Sequence, residues 1–387
     1  MIEAPLSDFE FGISTRLLFG DGGAARIGEV CRRFGWTSAF VVVDPDVRRA
    51  GVADSAFRSL EESGIGTVTF AGVRPNPTDA DMEKGAETFR RVRRDVIIGI
   101  GGGSAMDTAK GIALLVTSGG RIRNYDGMDK VPQAIWPLIC VPTTAGTGSE
   151  VSAYISVTND ETHEKMSLGS IHNYARIAVL DPALLRTLPA PAAAASGMDA
   201  LVHAVESHVS RRTNALTQLF ALEAIKRISR SLEIFVQDRA NPVASADMLF
   251  ASCLAGIAMT HTGTGAAHAI ARALGGRYNV GHGLACGVLL EPVMRFNLAS
   301  AQTGYAAVAE ALGVADPQAA ERERAEAAVR RVAEIRLHVG LPERLTIQLS
   351  ASETTPIAEW ASRNAGSNPR PASADDVRTL MARVVAA

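Results

Sequence analysis

Asp199 and His203 stand four apart in SGMDALVHAVE, the spacing that puts two side chains on one face of a helix. Two further imidazoles follow, His268 in a stretch of helical character and His282 in the turn GHG beyond the breaker Gly275-Gly276. One carboxylate and three imidazoles are donor types that surround a divalent first-row ion such as iron(II) or zinc, leaving a position open for a substrate oxygen. Taken singly, each histidine fits a packed polar group at a helix end just as well, and an Asp/His pair at this spacing arises often by chance. His163, His172, His208, His261 and His338 show no comparable spacing.

A second chemistry is carried by glycines. Gly101, Gly102, Gly103 and Ser104 come directly after the β-branched stretch DVIIGI and ahead of helical residues from Ala105 to Val116. Free backbone N–H groups, a helix dipole and the lack of side chains suit a pyrophosphate at such a turn. With Ser104 in the third glycine's place the run leaves G-x-G-x-x-G incomplete, and it lacks the lysine of G-x-x-x-x-G-K-[ST]; a bare strand-to-helix connection has the same look. VPTTAGTGSEVS over 141–152 follows another strand and offers Thr143, Thr144, Thr147 and Ser149, groups that hydrogen-bond phosphate and ribose. Two such loops behind two strands of one sheet predict a nucleotide cleft.

The elements that must hold these groups change type along the chain. SAFVVVD (38–44), TVTFAG (67–72) and DVIIGI (95–100) alternate with helical stretches, one running to about Ser63 and one over 79–93, which predicts βαβ units and a parallel sheet. After IAVLD (177–181) the texture turns alanine- and leucine-rich at helical spacing over 216–235, 245–260 and 318–338. Ser196 is expected to cap the helix carrying Asp199 and His203. The prolines of DPALLRTLPAP put the boundary at 185–191, giving an α/β nucleotide-binding domain over 1–188 and an all-helical metal-binding and substrate domain over 189–387.

Composition narrows the classes. The 387 residues carry 39 Lys plus Arg against 41 Asp plus Glu, a net charge of −2 that argues against nucleic acid as a partner. A 47% hydrophobic and 21% charged chain can bury a large core. No apolar run approaches the roughly 18 residues that span a bilayer. The opening MIEAPLSDFEF is acidic where a signal peptide is basic, so neither membrane insertion nor export is expected. Cys31, Cys140, Cys253 and Cys286 are scattered without a C-x-x-C pair, predicting neither disulfides nor a cysteine zinc site and fitting a reducing cytoplasm.

On these residues the sequence resembles the iron-containing, or group III, alcohol dehydrogenase family. The motifs are LLFGDGG (17–23), RPNPT (74–78), GGGSAMDTAK (101–110), PTTAGTGSEVS (142–152), GMDALVHAVE (197–206), His268 to HGLACGVLLEPVMRFN (282–297) and NPRP (368–371), in order over nearly the whole chain. The resemblance implies the fold shared with dehydroquinate synthase, an amino-terminal α/β domain and a helical metal domain with a cleft between them where NAD(P) meets the substrate. It implies metal ligands at Asp199, His203, His268 and His282. Cofactor contacts carry over to Asp44, Asn76, Gly102, Gly103, Ser104, Thr143, Thr144, Thr147 and Lys165, with Asp107 close by. The activity implied is NAD(H)-linked interconversion of a small alcohol with an aldehyde or ketone by hydride transfer, with one iron(II) or zinc ion, in a homodimer or larger assembly.

Asp44 closes the first of these strands, where a carboxylate accepts from ribose hydroxyls and repels a 2′-phosphate, so NADH is expected over NADPH; ahead of Pro45 it also suits a plain turn. One position departs from many relatives, which carry histidine or tyrosine four residues after the third ligand; here it is Arg272. Arginine cannot relay a proton, which leaves water or the cofactor ribose to do so. One turn beyond His268 on the same face, Arg272 is expected to point at the metal and join the catalytic set by holding an anionic group of the substrate. Pairing with Glu206 or Glu291, or with the cofactor phosphates, is the other outcome. Rival activities are a glycerol-dehydrogenase-like zinc enzyme or a dehydroquinate-synthase-like cyclase of the same fold group, and, from another class, a non-catalytic nucleotide-binding protein.

Overall fold

The computed structural model describes residues 8–385. Residues 1–7, which carry most of the acidic opening read against a signal peptide, and residues 386–387 lie outside the described residues. The chain forms two compact units, Gly12–Leu188 and Pro189 onward, and residues 8–11 belong with the second.

The first unit alternates strands and helices: β1 (Arg16–Phe19), α1 (Ile27–Arg33), β2 (Ser38–Val43), α2 (Pro45–Arg49), α3 (Asp54–Glu62), β3 (Gly66–Phe70), α4 (Asp79–Val92), β4 (Val96–Gly101) and α5 (Gly103–Ser118). β5 (Gly127–Met128), β6 (Leu138–Pro142), β7 (Tyr154–Thr158), β8 (Lys165–Gly169) and β9 (Ile177–Leu180) complete it. Six strands in the order β1-β9-β6-β4-β2-β3 pair in parallel throughout, and β5-β8-β7 form a small second sheet. Both faces of the large sheet are covered. Phe40 and Val42 of β2 join one buried cluster while Ala39, Val41 and Val43 join the other, the two-residue alternation of a strand enclosed on both sides.

The helical stretch expected to run to Ser63 is two helices, because Gly51 at φ +72° takes the left-handed conformation that ends α2. More consequential is the strand order. The chain passes from β2 outward to β3, then returns to lay β4 on the other side of β2. In an open parallel sheet that reversal makes a crevice at the carboxyl ends of the two strands, and ligands bind there. Asp44 ends β2 and the glycine turn ends β4; Asp44 N donates to Ile100 O at 3.2 Å.

The second unit is helical among the described residues apart from an isolated Leu345–Val385 bridge. It comprises α6 (Ala190–Val209), α7 (Ala215–Gln237), α8 (Pro242–Thr262), α9 (Ala266–Tyr278), α10 (His282–Asn297), α11 (Gln302–Leu312), α12 (Glu321–His338), α13 (Ala351–Asn364) and α14 (Ala374–Val384). Phe11 stacks on His261 and Phe220 with centroids 4.1 and 5.7 Å apart, which ties it to this unit.

Three local expectations are corrected here. Ser196 is not a cap: prolines 189 and 191 preset the first turn of α6, and Ser196 sits inside the helix with its hydroxyl donating to Ala193 O at 3.3 Å. Gly275-Gly276 do not break α9, which packs against α10 and α13 and runs to Tyr278, where Asn279 at φ +52° ends it. His282 is therefore not in a turn but is the first residue of α10. The expectation of no long apolar run also fails. α8 has 21 residues and by length and composition could cross a membrane, but 78% of that stretch is buried against its neighbours α6 and α7. Its one acid, Asp247, is held by Arg227 at 2.8 Å and Arg230 at 2.6 Å, as a carboxylate in a core helix must be.

Candidate active site

At the crevice of the α/β unit the groups on offer are mostly backbone. α5 begins at Gly103 after Gly102, with no side-chain cap; Ala105 N and Met106 N donate to Gly102 O, which leaves the N–H groups of Gly103 and Ser104 for an anion. The second loop lies against this turn. A Cβ on Gly103 would come within 2.8 Å of Thr147 Cγ2, one on Gly102 within 3.4 Å of Thr144, and Thr143 N donates to Gly101 O at 3.0 Å. Gly102, Gly103, Ser104, Thr143, Thr144 and Thr147 thus gather as the sequence predicts. Lys165 on β8 donates to Asn76 Oδ1 at 2.9 Å, so those two also meet.

Two acids of this unit do something else as well. Asp44 caps α2 by accepting from Asp46 N at 2.7 Å and Val47 N at 3.3 Å through Oδ1, so the turn role anticipated for it is real and a ribose would engage the other oxygen. Asp107 is bound by Ser149 Oγ at 2.6 Å and Ser156 N at 3.1 Å, fastening α5 to β7 and to the second loop. Burial pushes its carboxyl above the usual range, opposed by Lys110, those hydrogen bonds and Lys165. Nearby in sequence, Glu150 is buried, its Oε1 has no hydrogen-bond partner, and burial raises it to about 7.

In the helical unit side chains converge from three helices. Asp199 comes from the buried stretch of α6, His268 from the first turn of α9 and His282 from the first residue of α10. Asp199 Oδ1 lies 3.5 Å from His268 Nε2 and 3.7 Å from His282 Nε2. Asp199 and His268 are each 2% exposed, whereas the His282 side chain is 36% exposed, so the group opens on one side. Among the described residues the donor atoms within 4.8 Å of one another belong to Asp199, His268, His282 and Cys286. His203, the fourth ligand expected, stands beside them. Its ring stacks face to face on that of His268, centroids 4.3 Å apart.

Glu206, weighed in the sequence as one alternative partner for Arg272, is held by other groups. Its carboxylate accepts from Gly265 N at 2.7 Å and Ala267 N at 2.8 Å, capping α9, and lies 2.7 Å from His268 Nδ1. With Nδ1–H donated to Glu206, His268 keeps a lone pair on Nε2 and aims it at the Asp199 oxygen. Neither atom has a hydrogen-bond partner. Two buried acceptors facing each other at 3.5 Å are unfavourable unless a cation lies between them. The electrostatics agree. Burial opposes ionisation of Asp199, but His203, His282 and His268 outweigh it and hold the carboxyl well below the ordinary range. Burial likewise opposes charge on His268, and Cys286, Glu206 and Asp199 override it and raise its pKa, so that in the absence of an ion a proton on Nε2 takes the place between His268 and Asp199. The pocket attracts positive charge, and donor–donor separations of 3.5 and 3.7 Å match the ~3.4 Å edge of a tetrahedron of bonds ~2.05 Å long about a divalent ion.

The signal for Glu206 was in the sequence, since Asp199, His203 and Glu206 recur at the four- and three-residue steps of one helix face. Cys286 was hidden by reading His282 as a turn residue. Arg272, half-buried one turn beyond His268, packs its guanidinium over the Trp360 ring of α13 at 5.4 Å. Glu291, the other carboxylate considered for it, pairs with Arg295.

Residues 14–182 match the family model described as iron-containing alcohol dehydrogenase, and residues 193–385 match the carboxy-terminal model of that family. A 1,3-propanediol dehydrogenase of Citrobacter freundii is 36% identical over 377 residues, covering 96% of this chain and 97% of that protein. A crystal structure of a 1,3-propanediol oxidoreductase superimposes with TM-score 0.94 at 34% identity, covering 97% of this chain and 99% of that one. A sulfoacetaldehyde reductase of Bifidobacterium kashiwanohense, solved with NAD+, gives TM-score 0.88 at 26% identity over 98% and 99% of the two chains.

Proposed function

From the premise that this chain belongs to the iron-containing alcohol dehydrogenase family and is a metal-dependent alcohol–aldehyde oxidoreductase, we propose that it works with NAD(H) rather than NADP(H), holds one iron(II) or zinc ion, and acts on a small anionic aldehyde or ketone. The observation that carries the metal reading is the pair of buried acceptors, Asp199 Oδ1 and His268 Nε2, facing each other without a hydrogen-bond partner. Asp199, His268 and His282 would hold the ion, with His203 beside them as the fourth expected ligand. When bound, the ion supplies Lewis-acid polarisation of the substrate oxygen while the nicotinamide gives or takes the hydride.

The chain's own residues do the positioning. Glu206 of α6 fixes the tautomer of His268 and ties the first turn of α9 to α6. The backbone of Gly103 and Ser104 binds the pyrophosphate of the cofactor, with Thr144 and Thr147 against it. Asp44 accepts from the ribose and disfavours a 2′-phosphate, a preference that equal catalytic efficiency with NADH and NADPH would contradict. Arg272 cannot exchange protons, which leaves water or the cofactor ribose for that step.

Support for an anionic substrate is the fixed positive charge of Arg272 one turn beyond His268, together with the likeness to a reductase of sulfoacetaldehyde. The test compares an anionic aldehyde with a neutral one of equal size in wild type and in Arg272→Ala. A charge-assisted contact of roughly 1.5 to 3 kcal/mol moves the ratio of kcat/KM about tenfold or more. An unchanged ratio would mean that Arg272 does not read the substrate.

Cytoplasmic residence belongs to the same proposal, supported by four free, buried cysteines, as does assembly into a homodimer or larger. Support for assembly is β1 at the edge of the large sheet, where Leu17 and Phe19 are 37% and 46% exposed. Light scattering on the purified protein decides the oligomeric state.

A further inference from the structure

The first turn of α9, which carries His268, is buried and has no cap of its own, since Gly265 ahead of it offers no side chain. Three consecutive backbone N–H groups are satisfied from elsewhere in the chain. Glu206 takes those of Gly265 and Ala267. The one between them, Ala266 N, donates at 3.2 Å to Oδ1 of Asn368, which opens the NPRP segment 102 residues on. We propose that Asn368 is a positioning residue for His268: its amide, oriented by Asn297, fixes the turn that aims the imidazole, so that the hold on the metal ion depends on the NPRP segment. The proposal rests on the metal reading of this site.

Orientation of the amide is the first support. Asn368 Nδ2 donates to Asn297 Oδ1 at 2.7 Å and to Arg370 O at 2.6 Å, and Asn297 Nδ2 donates back to Asn368 Oδ1 at 3.0 Å. With both of its donors committed the Asn368 amide keeps one orientation, and Oδ1 faces Ala266 N. Asn368 and Asn297 are 1% and 2% exposed, so solvent does not replace these bonds. The second support is the closeness of the approach. A Cβ on Gly265 would come within 2.8 Å of Glu206 Oε1 and 3.0 Å of Asn368 Oδ1, so both acceptors lie against the same residue.

The residue types fit the task. Glu206 already brings one carboxylate to this helix end; a second would repel it, whereas an amide supplies the acceptor without charge. Leaving Ala266 N–H buried and unpaired is costly, and the turn would rearrange to relieve it, carrying His268 off its line to Asp199 Oδ1. α10 acts on the site from both ends, with His282 as its first residue and Asn297 as its last. The coupling is reciprocal: an ion that fixes His268 also steadies Asn368.

The test measures zinc affinity by chelator competition and amide hydrogen exchange by mass spectrometry. In Asn368→Ala, exchange over residues 264–272 should quicken and zinc affinity fall about tenfold. Arg370→Ala is the control, because it removes another anchor of the same segment, the bond to Phe296 O at 3.1 Å, without touching the α9 amide. It should keep zinc affinity within twofold. Unchanged affinity in Asn368→Ala, or an equal loss in both variants, overturns the role of Asn368 and leaves the metal site standing. Failure of wild type to bind zinc overturns both. Should Asn368→Ala not fold, as circular dichroism would show, wild type decides: zinc added to metal-free protein should slow exchange over residues 366–372, and no slowing there overturns the proposal.

Discussion

The two units make their sites from different parts of the chain. In the α/β unit the ligand-facing groups are mainly backbone N–H groups at the start of α5, and side chains such as Thr144 and Thr147 line a surface that glycine keeps close. In the helical unit the backbone is spent on α6, α9 and α10, and side chains from all three meet at one point. A backbone site is damaged by adding an atom, a side-chain site by removing one. The comparison makes each kind of substitution a probe of one unit with the other as its control.

The largest effect belongs to the side-chain site. His268→Ala and His282→Ala are each expected to abolish both bound metal and alcohol oxidation, since too few donors remain to hold an ion against water, while NADH binding measured by fluorescence stays within twofold. Metal retained at one per chain in either variant would reduce that histidine to a packing residue.

Next come opposite pH dependences of stability. Burial raises Glu150 from 4.5 to about 7, so the folded α/β unit holds a proton that the unfolded chain releases; its contribution is complete below pH 4.5 and is lost as pH rises through 7. Burial lowers His208 in α6 from 6.5 to about 4, so there the unfolded chain takes the proton first, and stability falls as pH drops from 6.5 toward 4. Each is worth about 3 kcal/mol. Denaturant titrations from pH 4 to 8 should show Glu150→Gln flattening the upper limb and His208→Gln the lower one. Unchanged slopes in both would dismiss burial as the cause.

Smaller is the effect of Glu206→Gln, which keeps the ligands but weakens the partner that aims His268. Metal affinity should fall about 10- to 100-fold with folding intact. The smallest is Gly103→Ala. Its Cβ would crowd Thr147 Cγ2 at 2.8 Å, a contact the threonine can relieve by moving, so NADH affinity should fall about tenfold without change in metal content. Loss of metal in that variant would break the separation of the two sites.

The same difference explains what could be read in advance. Parallel strands, both glycine loops and their threonines were legible because each is a local pattern in which β-branched runs and glycines specify their own conformation. What the sequence hid in the α/β unit was its strand order, and with it the crevice at β2 and β4. In the helical unit the identity of Asp199, His203, His268 and His282 was legible from residue type and family resemblance, but their convergence was not. Helix boundaries decided it. Two glycines that suggest a break are carried through α9 by packing on α10 and α13, and starting α10 at His282 instead of ending a turn there brings Cys286 onto the donor face. Glu206 was weighed only as an alternative partner for Arg272, because the groups it holds, Gly265, Ala267 and His268, lie about sixty residues away.

Metal-dependent turnover is the centre of this account, and stoichiometric reconstitution measures it most directly. Protein stripped of metal by a chelator is titrated with zinc or iron(II) while NADH oxidation with a small aldehyde is followed. Activity should be absent at the start, rise linearly and stop at one ion per chain. Full activity in the metal-free protein, or a rise without saturation near one equivalent, would contradict it.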